Sequence, residues 1–342
     1  MERAEGPEWD SDALMFRLAD PGRGFAAVRL LQWAGMPAER TWFTHEGDDW
    51  VLRVPAPPAH RLEYLLEVRH PDGGTQSVCD PGNPLRVPGV FGDKSVLHRP
   101  DYAPPPWLST VEDAHTWREA AFRSHVGPVT ARIRSPEAPT THVLVAHDGP
   151  EYDTYAALGR YSGSGLVPPH HLVLLAPGDR NEWYSASPVY ARTLVGDLLP
   201  AIAAAVGSDE RPVGMGASLG ALAMLHAHAR RPGRFAALFL QSGSFFLPRY
   251  DRHESNFPRY LRIVRFAGAV VRDRRPAAAP IPIALTTGTA EENRQNNRDV
   301  ARALAAQGHD ATLTEVADAH NFVAWRDAFD PALTDLLRKV WA

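Results

Sequence analysis

One serine in this chain stands between two glycines in the pattern Gly-x-Ser-x-Gly, at Gly216, Ser218 and Gly220, and a run of good helix formers continues through Met224. A serine hydroxyl becomes a nucleophile only when a base takes its proton and a third group fixes that base. It must also be presented on a sharp, strained strand-to-helix turn, where the residues two before and two after it must be small to avoid colliding. Glycine at 216 and 220 meets this requirement. The helix that begins here points its positive end at the serine and offers the Leu219 backbone N–H to a developing oxyanion. The same pentapeptide also fits an ordinary Gly/Ser turn before a buried helix, so the choice depends on whether the residues C-terminal to it supply a base and an acid.

Both are present in the C-terminal part. His320, in Val316-Ala317-Asp318-Ala319-His320-Asn321-Phe322, comes after the last strand-like run and before the final helical segment, the place for a general base at the carboxyl edge of a parallel sheet. The chain holds 15 histidines. His226 and His228 lie on the helix after Ser218, and His309 sits in a Gly-His-Asp turn. For the acid, Thr286-Thr287-Gly288-Thr289-Ala290-Glu291-Glu292-Asn293 leaves a strand and enters a helix. Glu291 and Glu292 are adjacent and cannot both reach one imidazole; the other would be a partner for the helix dipole. Asp318 is too close in sequence to His320 to orient it in the usual way. In α/β-hydrolases the chain order is serine, acid, histidine, with the last two on loops after successive strands.

The elements needed to position these residues are legible in the hydrophobic pattern. From about 13 to 100, short alternating runs at Val28–Leu30, Trp50–Val54 and Tyr64–Val68 are separated by turn residues, including Pro71-Asp72-Gly73-Gly74, which predicts a small all-β sandwich. Asp80-Pro81-Gly82-Asn83-Pro84 closes it as a rigid loop. Residues 100–110 carry Pro100, Pro104, Pro105 and Pro106, a stiff connector that ends on Trp107-Leu108. Beyond it, apolar strands at 129–133, 142–146, 172–176, 236–241, 281–286 and 311–316 alternate with helical stretches such as 190–206 and 294–307. The prediction is an α/β-hydrolase fold, a doubly wound, mostly parallel sheet over residues 105–342, preceded by a β-sandwich domain over 1–104. A stretch at about 247–280 does not fit the alternation and reads as an insertion. It carries eight arginines against Asp251, Glu254 and Asp273, either a solvated helical face or a cationic lid over an anionic substrate.

Bulk properties exclude other classes. With 342 residues the chain can bury a large core, and a net charge of −4 argues against nucleic-acid binding. The single cysteine, Cys79, cannot form an internal disulfide. The acidic stretch Met1–Asp10 lacks the apolar core of a signal peptide, and no run approaches 18 uninterrupted apolar residues, so the expectation is a cytoplasmic protein with no membrane span. Zinc and nucleotide motifs are absent from the sequence, and neither a metal nor a cofactor is expected.

The motifs His147-Asp148-Gly149-x-x-Tyr152, Asp179-Arg180-Asn181, Leu198-Leu199-Pro200, Gly216-Ala217-Ser218-Leu219-Gly220, Gly288-Thr289-Ala290-Glu291 and His320-Asn321-Phe322 leading to Trp325-Arg326 occur in that order. In this respect the chain resembles the enterochelin esterase and esterase-D-like branch of α/β-hydrolases, and residues 13–100 resemble the immunoglobulin-like, early-set domain that precedes the catalytic domain of enterochelin esterases. The resemblance implies Ser218 as nucleophile, His320 as base and an acid at the Gly-x-x-Glu position, which favours Glu291. It also places the second oxyanion donor just beyond Asp148-Gly149. Relatives often use the next residue, but here that is Pro150, which has no N–H, so the donor moves to Gly149 or Glu151.

Substrate contacts implied by the resemblance are Arg180, Glu182, Tyr152, Phe245, Trp325 and Arg326. Glu182 fits only with a shift in spacing, and Arg180 with Glu182 equally fits a salt bridge inside the loop. The activity implied is hydrolysis of a small-molecule ester through an acyl-Ser218 intermediate, with an anionic catecholate siderophore trilactone as candidate substrate. The alternatives are a carboxylesterase or acyltransferase on another natural-product ester, with the sandwich as a substrate wall or homodimer contact, or a carbohydrate-associated binding protein without catalysis.

Overall fold

The computed structural model describes residues 6–109 and 117–342. Residues 1–5 of the acidic N-terminal stretch and residues 110–116 at the end of the proline-rich connector lie outside the described residues. The chain divides into two compact units. One comprises the chain up to Ala103 together with the loops Gly288–Glu291 and Val316–Ala324; the other comprises Pro104–Thr287, Glu292–Glu315 and Trp325–Ala342.

In the first unit two antiparallel sheets enclose one core. Strands Ala13–Ala19 and Asp49–Pro55 pair through Leu14 with Val54 and Phe16 with Leu52. In the other sheet Ala27–Gln32 pairs with Arg61–Arg69, bringing Leu30 opposite Leu66. Alternate residues Leu14, Phe16, Val28, Leu30, Leu62, Tyr64 and Leu66 are almost wholly buried, as period-2 alternation requires of a sheet with one wet face. The His70 N–H donates to Gly74 O across the Pro71–Gly74 turn. Tyr64 Oη donates to the buried Asp80 carboxylate at 2.7 Å, which pins the rigid loop after Cys79 to the core.

The second unit is built on an eight-stranded sheet in the order Arg118–Phe122, Val129–Arg134, His171–Leu175, Val143–Ala146, Val213–Ala217, Ala237–Gln241, Pro282–Gly288 and Asp310–Val316. The five from His171–Leu175 to Pro282–Gly288 run parallel, while the two leading strands are antiparallel. Arg118–Phe122 has no counterpart among the expected strands, because its burial pattern is largely exposed and its sequence mostly polar or alanine. The central strands are buried on both faces, which explains their continuous apolar runs.

The helical stretch Pro188–Val206 begins with Ser187 capping the Tyr190 N–H and stops at Gly207, whose φ is 70°. It widens to π geometry over Leu194–Leu198, just before Pro200, which has no N–H to give to the ladder. By length and composition this helix could cross a bilayer, but it alternates in burial, and Tyr190, Leu194, Leu198 and Ile202 lie in the core. The arginine-rich stretch read as an insertion supplies helix Tyr260–Arg272 between the parallel neighbours Ala237–Gln241 and Pro282–Gly288. Parallel strands need such a crossover. The helix belongs to the alternation, with Tyr260, Ile263 and Ala267 inward and Arg265 and Arg272 outward.

Burial holds His147, His170, His226 and His228 down at about 4. Each is neutral in the fold and regains an ordinary value near 6.5 on unfolding, so the unfolded chain takes up more protons as pH falls. Stability is therefore fully present above about pH 6.5 and declines steadily toward pH 4. Urea denaturation at pH 7 and pH 5 should show this loss. In His228→Phe, which removes a buried Nδ1 that has no hydrogen-bond partner among the described residues, the loss should be smaller, with no fall in stability at pH 7.

Candidate active site

Strand Val213–Ala217 ends at Ser218, and helix Leu219–Arg230 starts at the next residue. Ser218 has φ 54° and ψ −122°, a conformation that side chains rarely tolerate and that costs about 1–3 kcal/mol. The flanking glycines make it possible. A Cβ on Gly216 would lie 2.5 Å from the Gly220 carbonyl carbon, and one on Gly220 would lie 3.2 Å from His147 Cβ. The Ser218 N–H donates to Gln241 O at 2.9 Å, the Ser244 N–H donates to Ser218 O at 3.1 Å, and the two hydroxyls are 3.0 Å apart. Ser218 is half-buried, its hydroxyl at the start of a helix whose first N–H, that of Leu219, has no acceptor one turn back.

Beside the turn runs His147-Asp148-Gly149. The His147 N–H donates to Met215 O, its Nδ1–H donates to Gly220 O at 3.1 Å, and its Nε2 accepts from Tyr190 Oη at 2.9 Å. Asp148, at φ 49°, is held by a two-pronged pair with Arg180, both contacts at 2.8 Å. Gly149 opens helix Gly149–Ala156, so its N–H is one of the first-turn donors without a helical acceptor. A Cβ there would come within 2.3 Å of Leu174 Cα, so only glycine brings the backbone this close to the sheet.

Several residues expected to touch substrate are engaged otherwise. Arg180 does not pair with Glu182 but anchors Asp148. Glu182 is clamped by Arg259 at 2.5 Å and Arg262 at 2.6 Å, which ties the Asp179–Trp183 segment to the crossover helix. Tyr152 is fully buried, and its hydroxyl donates to Gln241 Oε1 at 2.9 Å. Phe245 is fully buried in the core. Trp325 is also buried; its indole N–H donates to Ser242 Oγ at 3.0 Å, while its carbonyl accepts from Gln241 Nε2 at 3.0 Å. Arg326 pairs with Asp327 at 2.7 Å. Tyr152, Phe245 and Trp325 are buried supports of the site, whereas the Arg180 and Glu182 side chains stay 36% and 34% exposed. Ser244 and the fully buried Gln241 belong to the site as well, yet no motif marks them. The Gln-Ser-Gly-Ser run that closes strand Ala237–Gln241 is their only signal in the sequence.

In the first unit, His320 Nδ1 lies 3.2 Å from Glu291 Oε2. The Glu291 side chain is almost completely buried and that of His320 is 31% exposed. Glu292 instead meets His253 at 2.7 Å and is mostly exposed. An imidazole whose Nδ1–H donates to a carboxylate is fixed in the tautomer whose Nε2 can accept a proton.

A family model described as putative esterase matches residues 127–336. The chain belongs to that family. Among solved structures, the enterochelin esterase from Shigella flexneri is similar at a TM-score of 0.76 with 20% identity, over 99% of this chain and 97% of that one. The ferric enterobactin esterase from Salmonella typhimurium gives 0.75 with 20% identity over 98% and 96%. A ferulic acid esterase gives 0.52 with 14% identity over 66% and 99%. At such identities the likeness is one of fold, and it extends through the sandwich of this esterase as well as its parallel sheet. No curated protein sequence matches the chain.

The close packing at the Ser218 turn sets a measurable expectation. Gly216→Ala must push the Gly220 backbone away, and overpacking of this kind costs about 1–3 kcal/mol. Its melting temperature should fall by several degrees, and labelling of Ser218 by a fluorophosphonate should slow in the folded fraction, because the turn that presents the hydroxyl is displaced.

Proposed function

We propose that the chain is a serine esterase in which Ser218 attacks the ester carbonyl and His320, oriented by Glu291, takes the serine proton. The observation that carries this reading is Ser218 held at φ 54° between two glycines, half-exposed at a helix start. The proton on His320 passes to the departing alkoxide, leaving an acyl-Ser218. Water then attacks the acyl carbon, gives its proton to His320, and the acid is released as the proton returns to Ser218. The N–H groups of Leu219 and Gly149 are the proposed donors to the oxyanion.

Ser218→Ala and His320→Ala should each lower kcat by roughly ten-thousand- to million-fold, with the double variant little worse, because nucleophile and base act as a unit. Glu291→Gln should lose less, and Glu292→Gln should behave as wild type. Fluorophosphonate labelling followed by peptide mapping checks the nucleophile directly. Labelling that persists in Ser218→Ala overturns the assignment.

For the substrate we propose an ester of an anionic, aromatic acid, with a catecholate siderophore trilactone as the leading case. Two structures of similar fold were determined in the presence of enterobactin and of 2,3-dihydroxy-N-benzoyl-serine, and guanidinium groups both pair with charge and stack on rings. Arg259 and Arg262 are committed to Glu182, and Arg249 to Asp299. Arg252, Arg265, Arg272 and Arg274 are therefore the arginines to test, since they meet no carboxylate among the described residues. In a fourfold Arg→Gln variant, hydrolysis of a catecholate trilactone should fall while that of a short neutral acyl ester is unchanged. Equal loss on both removes charge recognition and favours the second reading, a carboxylesterase for neutral esters, which the commitment of Arg259 and Arg262 to Glu182 supports.

A further inference from the structure

The loops Gly288–Glu291 and Val316–Ala324 form one compact unit with the sandwich, and a single buried arginine is the hub of that union. Arg61 opens strand Arg61–Arg69, and its side chain is 2% exposed. One arm of the guanidinium donates to Asp318 Oδ2 at 3.2 Å and the other to Glu63 Oε1 at 3.3 Å. Glu63 also takes Lys94 Nζ at 3.2 Å.

Asp318 in turn holds the residues on both sides of His320. Its Oδ1 accepts the Ala319 N–H at 2.7 Å and Asn321 Nδ2 at 3.1 Å, and Asn321 Oδ1 then accepts the Ala324 N–H at 2.8 Å at the start of helix Phe322–Asp327. The backbone carbonyl of Asp318 accepts the N–H of Ala290, the residue before Glu291, at 3.1 Å. A Cβ on Gly288 would sit 2.3 Å from that same carbonyl, so the two loops touch backbone to backbone. One carboxylate residue thus fixes the imidazole loop and the acid loop together.

Further contacts keep both loops on the sandwich. The His60 N–H donates to Ala317 O, Thr289 Oγ1 donates to Pro58 O, and Ala290 and Ala319 lie in the sandwich core with Ala34, Ala59 and Leu62. Burial raises the Asp318 carboxyl to about 6 against the pull of Arg61, so the ion is held in a place where it survives only by being paired.

We propose that Arg61, far from the catalytic residues in sequence, is a positioning residue for the esterase reaction: through Asp318 it sets the His320–Glu291 pair, making the sandwich part of the catalytic apparatus. This rests on the assignment of His320 as base. A Lys at 61 keeps the charge but cannot bridge two carboxylates as a planar fork does, and small displacements of a catalytic group cost up to about a hundredfold in rate.

The test uses the full chain with a neutral acyl ester and compares Arg61→Met, Arg61→Lys and Asp318→Asn with Val28→Ala, a sandwich-core variant that destabilises without touching Asp318. Arg61→Met should lower kcat by about tenfold to a hundredfold with little change in KM, Arg61→Lys should recover part of the loss, and adding Asp318→Asn to Arg61→Met should cost little more. Val28→Ala should keep wild-type kcat in its folded fraction. If Arg61→Met matches Val28→Ala in kcat at similar thermal stability, the proposal is overturned. Should Arg61→Met fail to fold, Arg61→Lys decides, and wild-type kcat there overturns it equally. His320→Ala is measured alongside. Retention of its activity sinks the base assignment and this proposal with it, whereas its inactivity beside a fully active Arg61→Met sinks only the role of Arg61.

Discussion

The backbone at Ser218 sits where a residue with a side chain normally does not, and the second unit is arranged to keep it there. Two glycines remove the collisions across the bend, strand Ala237–Gln241 takes the serine N–H, and Ser244 returns a bond to the serine carbonyl. Strain of about 1–3 kcal/mol persists only where the surroundings over-determine it. The buried side chain of Gln241 explains much of that rigidity. It accepts from Tyr152 and donates to Thr286 and to the Trp325 carbonyl, so a single polar group braces three elements near the serine, and leaving any of its bonds unmade would be costly in a dry interior.

Glu291 and His320 obey a different constraint. Each lies on a loop a few residues past a strand, Glu291 beyond Pro282–Gly288 and His320 beyond Asp310–Val316, and short loops alone would hold them loosely. Asp318 ties the two loops together, since its carboxylate and carbonyl bond to neighbours of both side chains. A carboxylate buried so deeply needs a cation, and Arg61 meets that need from the sandwich.

Two of the polar residues expected to touch substrate show how little sequence spacing says about ion pairing. Arg180 and Glu182 are two positions apart, a spacing that suggests partnership. In the fold they point to different elements, Arg180 to Asp148 and Glu182 to Arg259 and Arg262. The arginine-rich stretch hides its crossover helix. Its charge stands out, whereas the spacing of Tyr260, Ile263 and Ala267 on a crossover helix does not.

The sharp turn at Ser218 and the parallel sheet behind it were legible in the chain, because such a turn needs small residues at fixed offsets and parallel strands leave continuous apolar runs. The alternation of the sandwich strands was legible for the same reason: local geometry imposes a short period on the sequence. The residue pattern left the two adjacent glutamates open and only the family resemblance favoured Glu291; in the fold Glu291 is buried against His320 while Glu292 turns outward to His253. The link from Arg61 to Asp318 spans 257 positions. Pairing across such a distance depends on which side chains share a desolvated space, and that is set by packing rather than by any pattern along the chain.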